Sequence, residues 1–544
     1  MRARIVVDGM TAHAPAPAPV FGPEPLTPTA FLDRSAIVHA DRLAMIDGDR
    51  SFTYSELAER SLRLAGALAG LGVGPGDRVS VLAPNTHVAL EAHFGVPYAG
   101  AVLNALNTRL SVDELAYIVG HAGAKVLVVD DELAEVGAAV ADRCGPPLRL
   151  VAAGSASSEY ERLVEGAAPH RVAVDDEWGL LSLNYTSGTT GRPKGVMYSH
   201  RGAYLQAVAM AAQAGLGPDS VFLWTLPMFH CNGWCYPWAV TAVGGRHLGL
   251  RAVRPDAIWA AIRDGGVTQF NAAPTVLTAL AADPVAAPAP HTVKVATGGA
   301  PPSPALLGRL AELNIDVTHL YGLTETYGPA VICDWRPEWD ALDAAERARL
   351  KARQGVANVI GVPLRVVDEA GEDVPADAET RGEVVLRGNN VMIGYYRDPD
   401  ATEAATLRRA DGAWFRTGDV GVLHPDGYLE LRDRAKDVII SGGENIASIE
   451  VEQALDAHPA VLESAVVSAP DERWGEVPVA FVVLREGAAV TEDELIEHCK
   501  SRIARYKAPR RVVFGELPKT STGKIQKFVL RNQLWEGRDR SIAG

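Results

Sequence analysis

The stretch that decides the fold is residues 186–195, which read Thr186-Ser187-Gly188-Thr189-Thr190-Gly191-Arg192-Pro193-Lys194-Gly195. A short apolar segment at 180–183 precedes it. Its three glycines allow backbone N–H groups to approach an anion closely, and four hydroxyl groups and one lysine add donors. The order differs from the P-loop of NTPases, because no Gly-Lys-[Ser/Thr] follows a glycine at the required spacing. The stretch predicts a loop that binds a polyphosphate, with a solvated turn as the alternative on composition alone.

Length and composition indicate an ordinary globular chain with more than one domain. The chain has 544 residues, of which 47% are hydrophobic and 22% charged. Its net charge of -15 argues against general binding to nucleic acid or to an anionic membrane, since both require a basic face. The five scattered cysteines favour a reducing compartment over a disulfide framework. Without a long apolar run or a signal-peptide pattern, the sequence predicts no membrane span and a cytoplasmic location.

Hydrophobic periodicity after residue 50 predicts alternating helices and strands. Residues 55–70 have the pattern of an amphipathic helix, and residues 78–82 and 125–129 that of buried strands. This alternation predicts largely parallel sheets covered by helices on both faces. The alternate glycines of segment 70–76 follow a helix and precede a strand. That order is the reverse of a dinucleotide-binding fingerprint, so these glycines are interpreted as a helix stop and turn.

Changes in composition divide the chain into three regions. Residues 1–30 contain a tract rich in proline and alanine and are predicted to form an extended arm. A charged, glycine-containing segment at 426–444 precedes a predicted helix at 449–458 and a predicted strand at 464–468. The boundary is placed at Asp433. It separates a large N-terminal domain, residues 31–433, from a small C-terminal domain, residues 434–544.

Five further motifs follow the loop at 186–195. They are residues 298–301 (GGAP), 321–326 (YGLTET), 414–419 (WFRTGD), 433–437 (DRAKD) and 518–524 (PKTSTGK). Together the six resemble, in order, the signature of the adenylate-forming superfamily, and a helical insert at 338–352 adds a resemblance to bacterial long- and medium-chain fatty-acyl-CoA synthetases. The resemblance covers nearly the whole chain after the arm. It implies an α/β fold in which a large domain of mixed and parallel sheets flanked by helices precedes a small mobile α+β domain.

The resemblance implies that the large domain binds ATP with Mg²⁺. Glu325 would hold the metal with Thr186 nearby, which fits the preference of Mg²⁺ for one or two carboxylates beside phosphate oxygens. A helix cap is the alternative for this carboxylate. Thr324 would donate to the α-phosphate. The remaining positions implied around the phosphates and the adenine are Ser187, Gly188, Thr189, Thr190, Gly191, Lys194, Pro301 and Gly322.

The resemblance also implies an adenosine site. Tyr321 would border the adenine, with Gly299 and Ala300 as the opposite wall. Asp419 would accept from both ribose hydroxyls, with Arg434 as its partner. Without the resemblance, Asp419 would be an ordinary turn aspartate.

The small domain is implied to supply a catalytic lysine and to rotate. Lys524 would stabilise the negative charge that develops on the carboxylate, the α-phosphate and the leaving pyrophosphate; composition alone would make it a surface lysine. Lys436 is implied to be the hinge about which the domain rotates after acyl-AMP forms. The rotation would bring in the loop 441–445, where Gly442 and Gly443 line a pantetheine channel.

Coenzyme A is the implied second substrate. Trp474 would border the same channel. Lys507 and Arg510 belong to a local basic cluster, with Arg505 and Arg511, that suits the phosphates of coenzyme A. A solvated charged face is the alternative for this cluster.

The segment 228–235 and one departure from relatives bear on the acid. His230 has two cysteines nearby, but aromatic flanks and the lack of a second ligand pair argue against zinc. By resemblance His230 lies beside the reacting carboxylate, and Trp234, after Gly233, gates the acyl tunnel; a plain buried tryptophan is the alternative. Leu320 stands where several relatives have glycine and is expected to shorten the acyl pocket. These features predict a medium-length, branched or cyclic acid.

Two further departures concern the small domain. Ile440 and Asn445 stand where some long-chain relatives have a lysine and a tryptophan, on the face that closes over the nucleotide. The contacts of that face in the adenylation state therefore differ from those of these relatives.

The leading hypothesis is an acid:CoA ligase that releases AMP and pyrophosphate. The alternative within the fold is adenylation followed by transfer to a carrier protein or another nucleophile, and a noncatalytic nucleotide-binding or scaffolding protein is a third. The predicted partners are a carboxylic acid, ATP and coenzyme A, without nucleic acid. A homodimer and a carrier protein are further expectations.

Overall fold

The structure is a computed structural model that describes residues 22–186, 192–299, 302–434, 437–441, 444–471, 473–520 and 525–535, with the backbone alone at Arg434 and Asn445. Its strands, in chain order, are β1 (Leu43–Asp47), β2 (Arg50–Thr53), β3 (Arg78–Leu82), β4 (Val102–Ala105), β5 (Ala124–Asp130), β6 (Arg149–Ala153), β7 (Leu180–Tyr185), β8 (Gly195–Ser199), β9 (Val221–Leu223), β10 (Arg246–Leu248), β11 (Gln269–Ala272), β12 (Val293–Thr297), β13 (Ile315–Leu323), β14 (Gly328–Ile332), β15 (Val356–Ala357), β16 (Arg365–Val367), β17 (Gly382–Leu386), β18 (Thr406–Arg409), β19 (Gly412–Leu423), β20 (Leu429–Arg434), β21 (Ile439–Ser441), β22 (Glu444–Ile446), β23 (Val461–Asp471), β24 (Gly475–Leu484) and β25 (Arg511–Phe514).

Helices alternate with these strands over most of the chain. They are α1 (Thr29–Val38), α2 (Tyr54–Gly70), α3 (His87–Tyr98), α4 (Val112–Ala122), α5 (Ala134–Cys144), α6 (Glu159–Gly166), α7 (His200–Ala214), α8 (Cys231–Trp234), α9 (Tyr236–Ala242), α10 (Pro255–Asp264), α11 (Pro274–Ala282), α12 (Pro304–Glu312), α13 (Ala344–Lys351), α14 (Pro399–Ala404), α15 (Ser448–Asp456), α16 (Glu492–Arg502) and α17 (Lys527–Trp535). Within the described ranges, every helix is too short or too polar to cross a lipid bilayer.

The large domain contains two sheets dominated by parallel pairing. One has the order β6-β5-β3-β4-β7-β8, in which only β8 is antiparallel to its neighbour. The other has the order β15-β14-β13-β12-β11-β9-β10-β1-β2, parallel from β13 to β1 and antiparallel at both edges. This arrangement confirms the predicted α/β class.

The carboxyl ends of these strands carry the sequence motifs. The loop at 186–195 follows β7, the segment 228–235 follows β9, the motif at 298–301 follows β12, and residues 324–326 follow β13. Open α/β sheets bind ligands at the carboxyl ends of their parallel strands. The topology therefore places four motifs at the edges where ligands of such sheets bind.

Two smaller sheets complete the fold. The strands β16-β17-β19-β18, with β20 beside β19, form an antiparallel sheet. After residue 437, β22-β21-β24-β23 form a second small sheet with antiparallel pairing, and β25 lies parallel beside β24. This last sheet packs with its helices around a hydrophobic core of its own, which includes Ile439, Val466 and Leu495. The small α+β C-terminal region of the expected fold is thus present, while the boundary at Asp433 stays a prediction.

Local sequence explains where the predicted helix at 55–70 begins and ends. In α2 the Thr53 side chain accepts from the backbone N–H of Glu56, whose carboxylate accepts in return from the backbone of Thr53. Leu57, Leu64 and Leu68 form the buried face of the helix. Gly70 is its last residue and β3 begins at Arg78, which confirms the interpretation of the intervening glycines as a stop and turn.

The helical insert predicted at 338–352 consists of two helical pieces. The structure has a short 3₁₀ turn, Pro337–Ala341, and then α13. Asp343 separates the two, because its extended backbone breaks the helix and its carboxylate accepts from the N–H of Glu346 to start a new one.

The cysteines are mostly inside the protein. Cys231, Cys235, Cys333 and Cys499 are buried and Cys144 is half-buried, and all five are free thiols. Burial raises the pKa of each of them, to about 12 for Cys231 and Cys333.

Candidate active site

The turn after β13 brings several predicted residues together. Tyr321 and Gly322 are at the end of the strand, and Thr324 and Glu325 form the 3₁₀ turn that follows. A Cβ atom at Gly322 would lie 1.8 Å from the carbonyl oxygen of Gly328. Only glycine therefore allows the β13–β14 hairpin to close at this point.

Tyr321 and Asp419 are in direct contact. The Tyr321 hydroxyl donates to Oδ2 of Asp419 at 2.7 Å, and both side chains are buried. Thr417 Oγ1 accepts from the backbone N–H of Asp419. Across the sheet, Asp419 is paired in register with Arg434 of β20. Two residues predicted to contact the adenosine thus lie side by side, on strands of different sheets.

Glu325 and Lys194 converge on Tyr395, a residue that sequence reasoning missed. The Tyr395 hydroxyl donates to Oε1 of Glu325 at 2.7 Å, and the Lys194 Nζ lies 4.9 Å from the centre of the same ring. Burial, and after it the Glu325 carboxylate, raises the pKa of Tyr395, so the phenol remains a neutral donor. This group of three residues, Lys194, Tyr395 and Glu325, is called the phosphate-side cluster below.

The hairpin of β7 and β8 presents the ends of the phosphate loop. The backbone N–H of Thr186 donates to the carbonyl of Lys194 at 3.0 Å, so the two ends of the loop are adjacent. Ser187, Gly188, Thr189, Thr190 and Gly191 lie outside the described residues.

His230 lies beside residues of the β13 turn. Its Nε2 is 3.9 Å from Sγ of Cys231, and that thiol donates to Oγ1 of Thr324 at 3.5 Å. Because the pKa of Cys231 is raised to about 12, its sulfur is a neutral thiol near pH 7. The structure therefore brings His230 and Thr324 to one place, with Cys231 between them.

The segment after His230 has a backbone that L-amino acids rarely adopt. The angle φ is 48° at Cys231, 43° at Asn232, 53° at Gly233, 56° at Trp234 and 65° at Cys235. The left-handed conformation costs a residue with a side chain roughly 1–2 kcal/mol. A run of this kind persists only when its surroundings over-determine it, and such strain concentrates at functional sites. We call residues 231–235 the left-handed turn.

Trp234 and Leu320 are both buried near this turn. The indole of Trp234 lies between two glycines: a Cβ at Gly298 would be 3.3 Å from its Cη2, and one at Gly328 would be 2.8 Å from its Cδ1. Leu320 precedes Tyr321 on β13, and its carbonyl oxygen also faces Gly298. Gly299 follows with a φ of 89°, while Ala300 and Pro301 lie outside the described residues.

The small domain places the predicted coenzyme A residues at its surface. Trp474 is 37% exposed, and the Arg473 guanidinium lies over its ring. The backbone N–H of Trp474 donates to Oδ1 of Asp471. Lys507 forms an ion pair with both carboxylate oxygens of Glu450 at 2.7 and 2.8 Å, so its charge is already partnered.

The other predicted positions of this domain are either exposed or outside the described residues. Arg510 is exposed, and its backbone N–H donates to Pro478. Ile440 is 41% exposed. Lys436, Gly442, Gly443 and the predicted catalytic Lys524 lie outside the described residues, as does the side chain of Arg434.

Sequence spacing gave no signal for the missed residues. Tyr395 is 70 positions from Glu325, and Asn184 and Asn232 are 48 positions apart although their side chains are bonded. Each is an ordinary polar residue in its local segment. Only the folded chain reveals that they support predicted site residues.

Comparison with known proteins decides the family. The model of the AMP-binding enzyme family matches residues 32–396, and that of the AMP-binding enzyme C-terminal domain matches residues 450–524. The chain belongs to the AMP-binding enzyme family. This membership confirms the resemblance to adenylate-forming enzymes, and the chain is therefore an enzyme.

Named relatives of this AMP-binding enzyme are ligases. An acetate–CoA ligase of Humulus lupulus is 47% identical and the match covers 94% of this chain and 95% of the relative. A 2-methylpropanoate–CoA ligase of the same plant is 47% identical over 96% of this chain and 97% of its own length. Among solved structures, ATP-bound MatB from Rhodopseudomonas palustris has a TM-score of 0.83 at 29% identity and covers 94% of this chain and 99% of its own.

Proposed function

We propose that this AMP-binding enzyme is an AMP-forming acid:CoA ligase. In the first step a carboxylate oxygen attacks the α-phosphorus of ATP, which forms acyl-AMP and releases pyrophosphate. In the second the coenzyme A thiol attacks the acyl carbon, gives up its proton, and displaces AMP to leave a thioester. The observation that carries the proposal is the convergence of three groups at the carboxyl ends of β7, β9 and β13: the phosphate-side cluster, the Tyr321–Asp419 pair, and His230 with Thr324 on either side of Cys231.

The donor set fits Mg²⁺ bound together with ATP. Glu325 is 9% exposed, and its carboxylate retains acceptor capacity beyond the one bond from Tyr395. Mg²⁺ is commonly held by one or two carboxylates and by substrate phosphates. Bound there, with Glu325 and Thr186 as its protein ligands, the ion would neutralise phosphate charge.

Residues of this chain orient the first step. Asp419 accepts from the ribose, and Tyr321 keeps that carboxylate in place through its hydroxyl. Lys194 adds positive charge on the phosphate side. Thr324 donates to the α-phosphate while His230 lies beside the attacking carboxylate, and Lys524 stabilises the charge of the transition state.

The acid is proposed to be short, straight or branched at the second carbon. The 47% identical relatives are named for acetate and 2-methylpropanoate. In this chain Trp234 and Leu320 are both buried, and as bulky side chains they are proposed to shorten the acyl pocket. The sequence predicted a medium-length, branched or cyclic acid; this proposal keeps the branched acids and replaces the medium-length and cyclic ones with short straight acids. The cytoplasmic location, the homodimer and the carrier-protein partner stay predictions.

A panel of carboxylic acids tests the proposal. AMP release is measured with acetate, 2-methylpropanoate, hexanoate, benzoate and palmitate, each with and without coenzyme A. We expect coenzyme A-dependent AMP release and an acyl-CoA product with the two small acids. Acid-dependent ATP–pyrophosphate exchange without any acyl-CoA product would point to a carrier protein or another nucleophile, and an optimum at palmitate would refute the short acid.

A further inference from the structure

Asn232, at the second position of the left-handed turn, uses every polar atom of its amide. Its Oδ1 accepts from the Ser182 hydroxyl and from Nδ2 of Asn184, each at 2.6 Å. Its Nδ2 lies 3.1 Å from Nε2 of His93, and its backbone N–H donates to Oδ1 of Asn184 at 3.1 Å. Asn232 itself is fully buried.

The hydrogen bonds of His93 determine which of its ring nitrogens carries the proton. The Nδ1 of His93 donates to the carbonyl of Ala89 at 2.7 Å, which leaves Nε2 to accept from Asn232. Burial lowers the pKa of His93 to about 4, so the ring is neutral near pH 7. Four side chains thus form a satisfied polar network inside the hydrophobic core, and such networks impose one specific geometry.

The network joins the strand of the phosphate loop to the acyl-site segment. Ser182 and Asn184 belong to β7, and Asn184 is two residues before Thr186. Asn232 lies between His230 and Trp234. The turn has a backbone bond from the N–H of Cys235 to the carbonyl of Asn232 at 2.9 Å. The side-chain bonds to Asn232 tie this turn to β7 and α3 and add to what holds its strained conformation.

The position of Trp234 follows from that of the turn. Its indole lies in the slot between Gly298 and Gly328, on a backbone with a φ of 56°. His230 and Thr324, beside which the carboxylate of the acid is proposed to bind, lie at the start of this turn and next to it, so we infer that the ring bounds the acyl side of the site. An acid chain that extends beyond the ring can enter only if the indole moves.

We propose that Asn232 and Asn184 are positioning residues that set the upper size limit of the acid, by holding the left-handed turn and with it Trp234. The inference rests on the proposed ligase function. It assigns to this chain acids of the size of acetate and 2-methylpropanoate and excludes straight chains such as hexanoate and octanoate. The amide network, rather than contact with the acid, enforces this limit.

The test compares two buried asparagines on neighbouring strands. Asn184→Ala removes a member of the network. Asn104→Ala removes a fully buried amide on β4, which is bonded to Ser80 and to the Leu183 carbonyl. Asn232→Gly is the second test variant, because glycine adopts the left-handed conformation without added strain. For each variant, kcat and KM are measured with acetate, 2-methylpropanoate, hexanoate and octanoate, and the melting temperature is recorded.

We expect Asn184→Ala and Asn232→Gly to raise the ratio of kcat/KM for hexanoate to that for acetate by about tenfold or more, the scale of discrimination by apolar pockets. Asn104→Ala should lower the melting temperature by a similar amount and leave the ratio unchanged. Unchanged ratios in both test variants, or an equal rise in Asn104→Ala, would overturn the inference. Lack of acid-dependent AMP release by the wild-type enzyme would instead refute the ligase function itself.

Discussion

Tyr395 shows how one residue can organise an active site without taking part in the chemistry. Its hydroxyl orients the Glu325 carboxylate and its ring face lies against the Lys194 ammonium. The two charged groups therefore keep fixed positions on opposite parts of the same neutral side chain. Both are positions predicted to act on the phosphates or on the metal.

Replacing Tyr395 should weaken the use of Mg·ATP. In Tyr395→Phe the ring stays and the bond to Glu325 is lost, and a hydrogen bond to a charged group is worth about 1.5–3 kcal/mol. We expect kcat/KM for Mg·ATP to fall by about 10- to 100-fold, with little change in KM for the acid. Steady-state kinetics at varied Mg²⁺ would measure this.

The matched control is the neighbouring Tyr396→Phe. The Tyr396 ring packs against His121, and only its backbone bonds next to Lys194, at Gly195. This substitution leaves the backbone and the Tyr395–Glu325 bond in place, so the variant should keep wild-type kinetics. Equal effects in the two variants would show that the Glu325 bond has no special role.

Residue types at motif positions were predictable, and their supporting neighbours were not. Glu325 and Asp419 stand within ordered motifs, so their positions could be predicted from the sequence alone. Tyr395 and Asn232 act through contacts between distant segments. Such contacts arise from tertiary packing, which residue spacing along the chain does not encode.

At the scale of elements, local signals predicted α2, β3 and β5 to within a residue or so. The capping box at Thr53 and the run of buried leucines explain that success for α2. The insert at 338–352 is helical as predicted, and Asp343 divides it because its side chain caps a second helix within the helical pattern. The left-handed turn has no local signature at all, since only its third residue is glycine.

A buried ion cluster joins three elements of the large domain. His87, the first residue of α3, donates from Nδ1 to Asp47 at 2.6 Å and from Nε2 to Glu161 of α6 at 3.0 Å. Burial, and to a smaller extent the charge of Arg50, lowers the pKa of His87. The hydrogen bonds to the two carboxylates outweigh these effects, so the pKa of His87 lies above its ordinary value. The same bonds outweigh burial at both carboxyl groups and lower the pKa of Asp47 and of Glu161.

These shifts define a pH window for stability. A raised histidine pKa stabilises the fold fully below the unfolded value of about 6.5, and this contribution is lost as pH rises through the folded pKa. Because the pKa of each carboxyl group is lowered in the folded protein, the two carboxylates stabilise the fold above about pH 4–4.5. This contribution is lost as the pH falls through their folded pKa values. We expect the melting temperature of the wild type to fall between pH 6.5 and 9 by more than that of His87→Gln.

A neutral buried histidine provides the control. Burial lowers the pKa of His247 to about 3, so His247→Gln should reduce the melting temperature equally at each pH. Parallel pH curves for the wild type and for His87→Gln would contradict a charged His87.

At the scale of the whole molecule, the proposed cycle uses different parts of the small domain for its two half reactions. Lys524 is proposed to act in acyl-AMP formation, and the loop 441–445 in thioester formation. Lys524 itself lies outside the described residues, and Ile525, which follows it, forms an antiparallel bridge with Lys519 just before α17. Lys524→Ala should lower acyl-AMP formation by about 10²- to 10³-fold. Thioester formation from supplied acyl-AMP should change little. Quenched assays that measure the rate of each half reaction separately test this prediction.

Lys519→Ala is the control within the same sequence motif, residues 518–524. Its Nζ pairs with Glu463 on the surface, so its removal should affect neither half reaction. Equal loss of both half reactions in Lys524→Ala would contradict a rotating domain.

The inward placement of the cysteines makes such a rotation directly observable. Maleimide dyes react with exposed thiolates, and burial protects Cys231, Cys235, Cys333 and Cys499 by access and by raised pKa. Replacing only the half-buried Cys144 would leave a background with little reactivity. One new surface cysteine on each side of Asp433 would then carry a donor and an acceptor dye, and the energy transfer between them would follow the small domain during turnover.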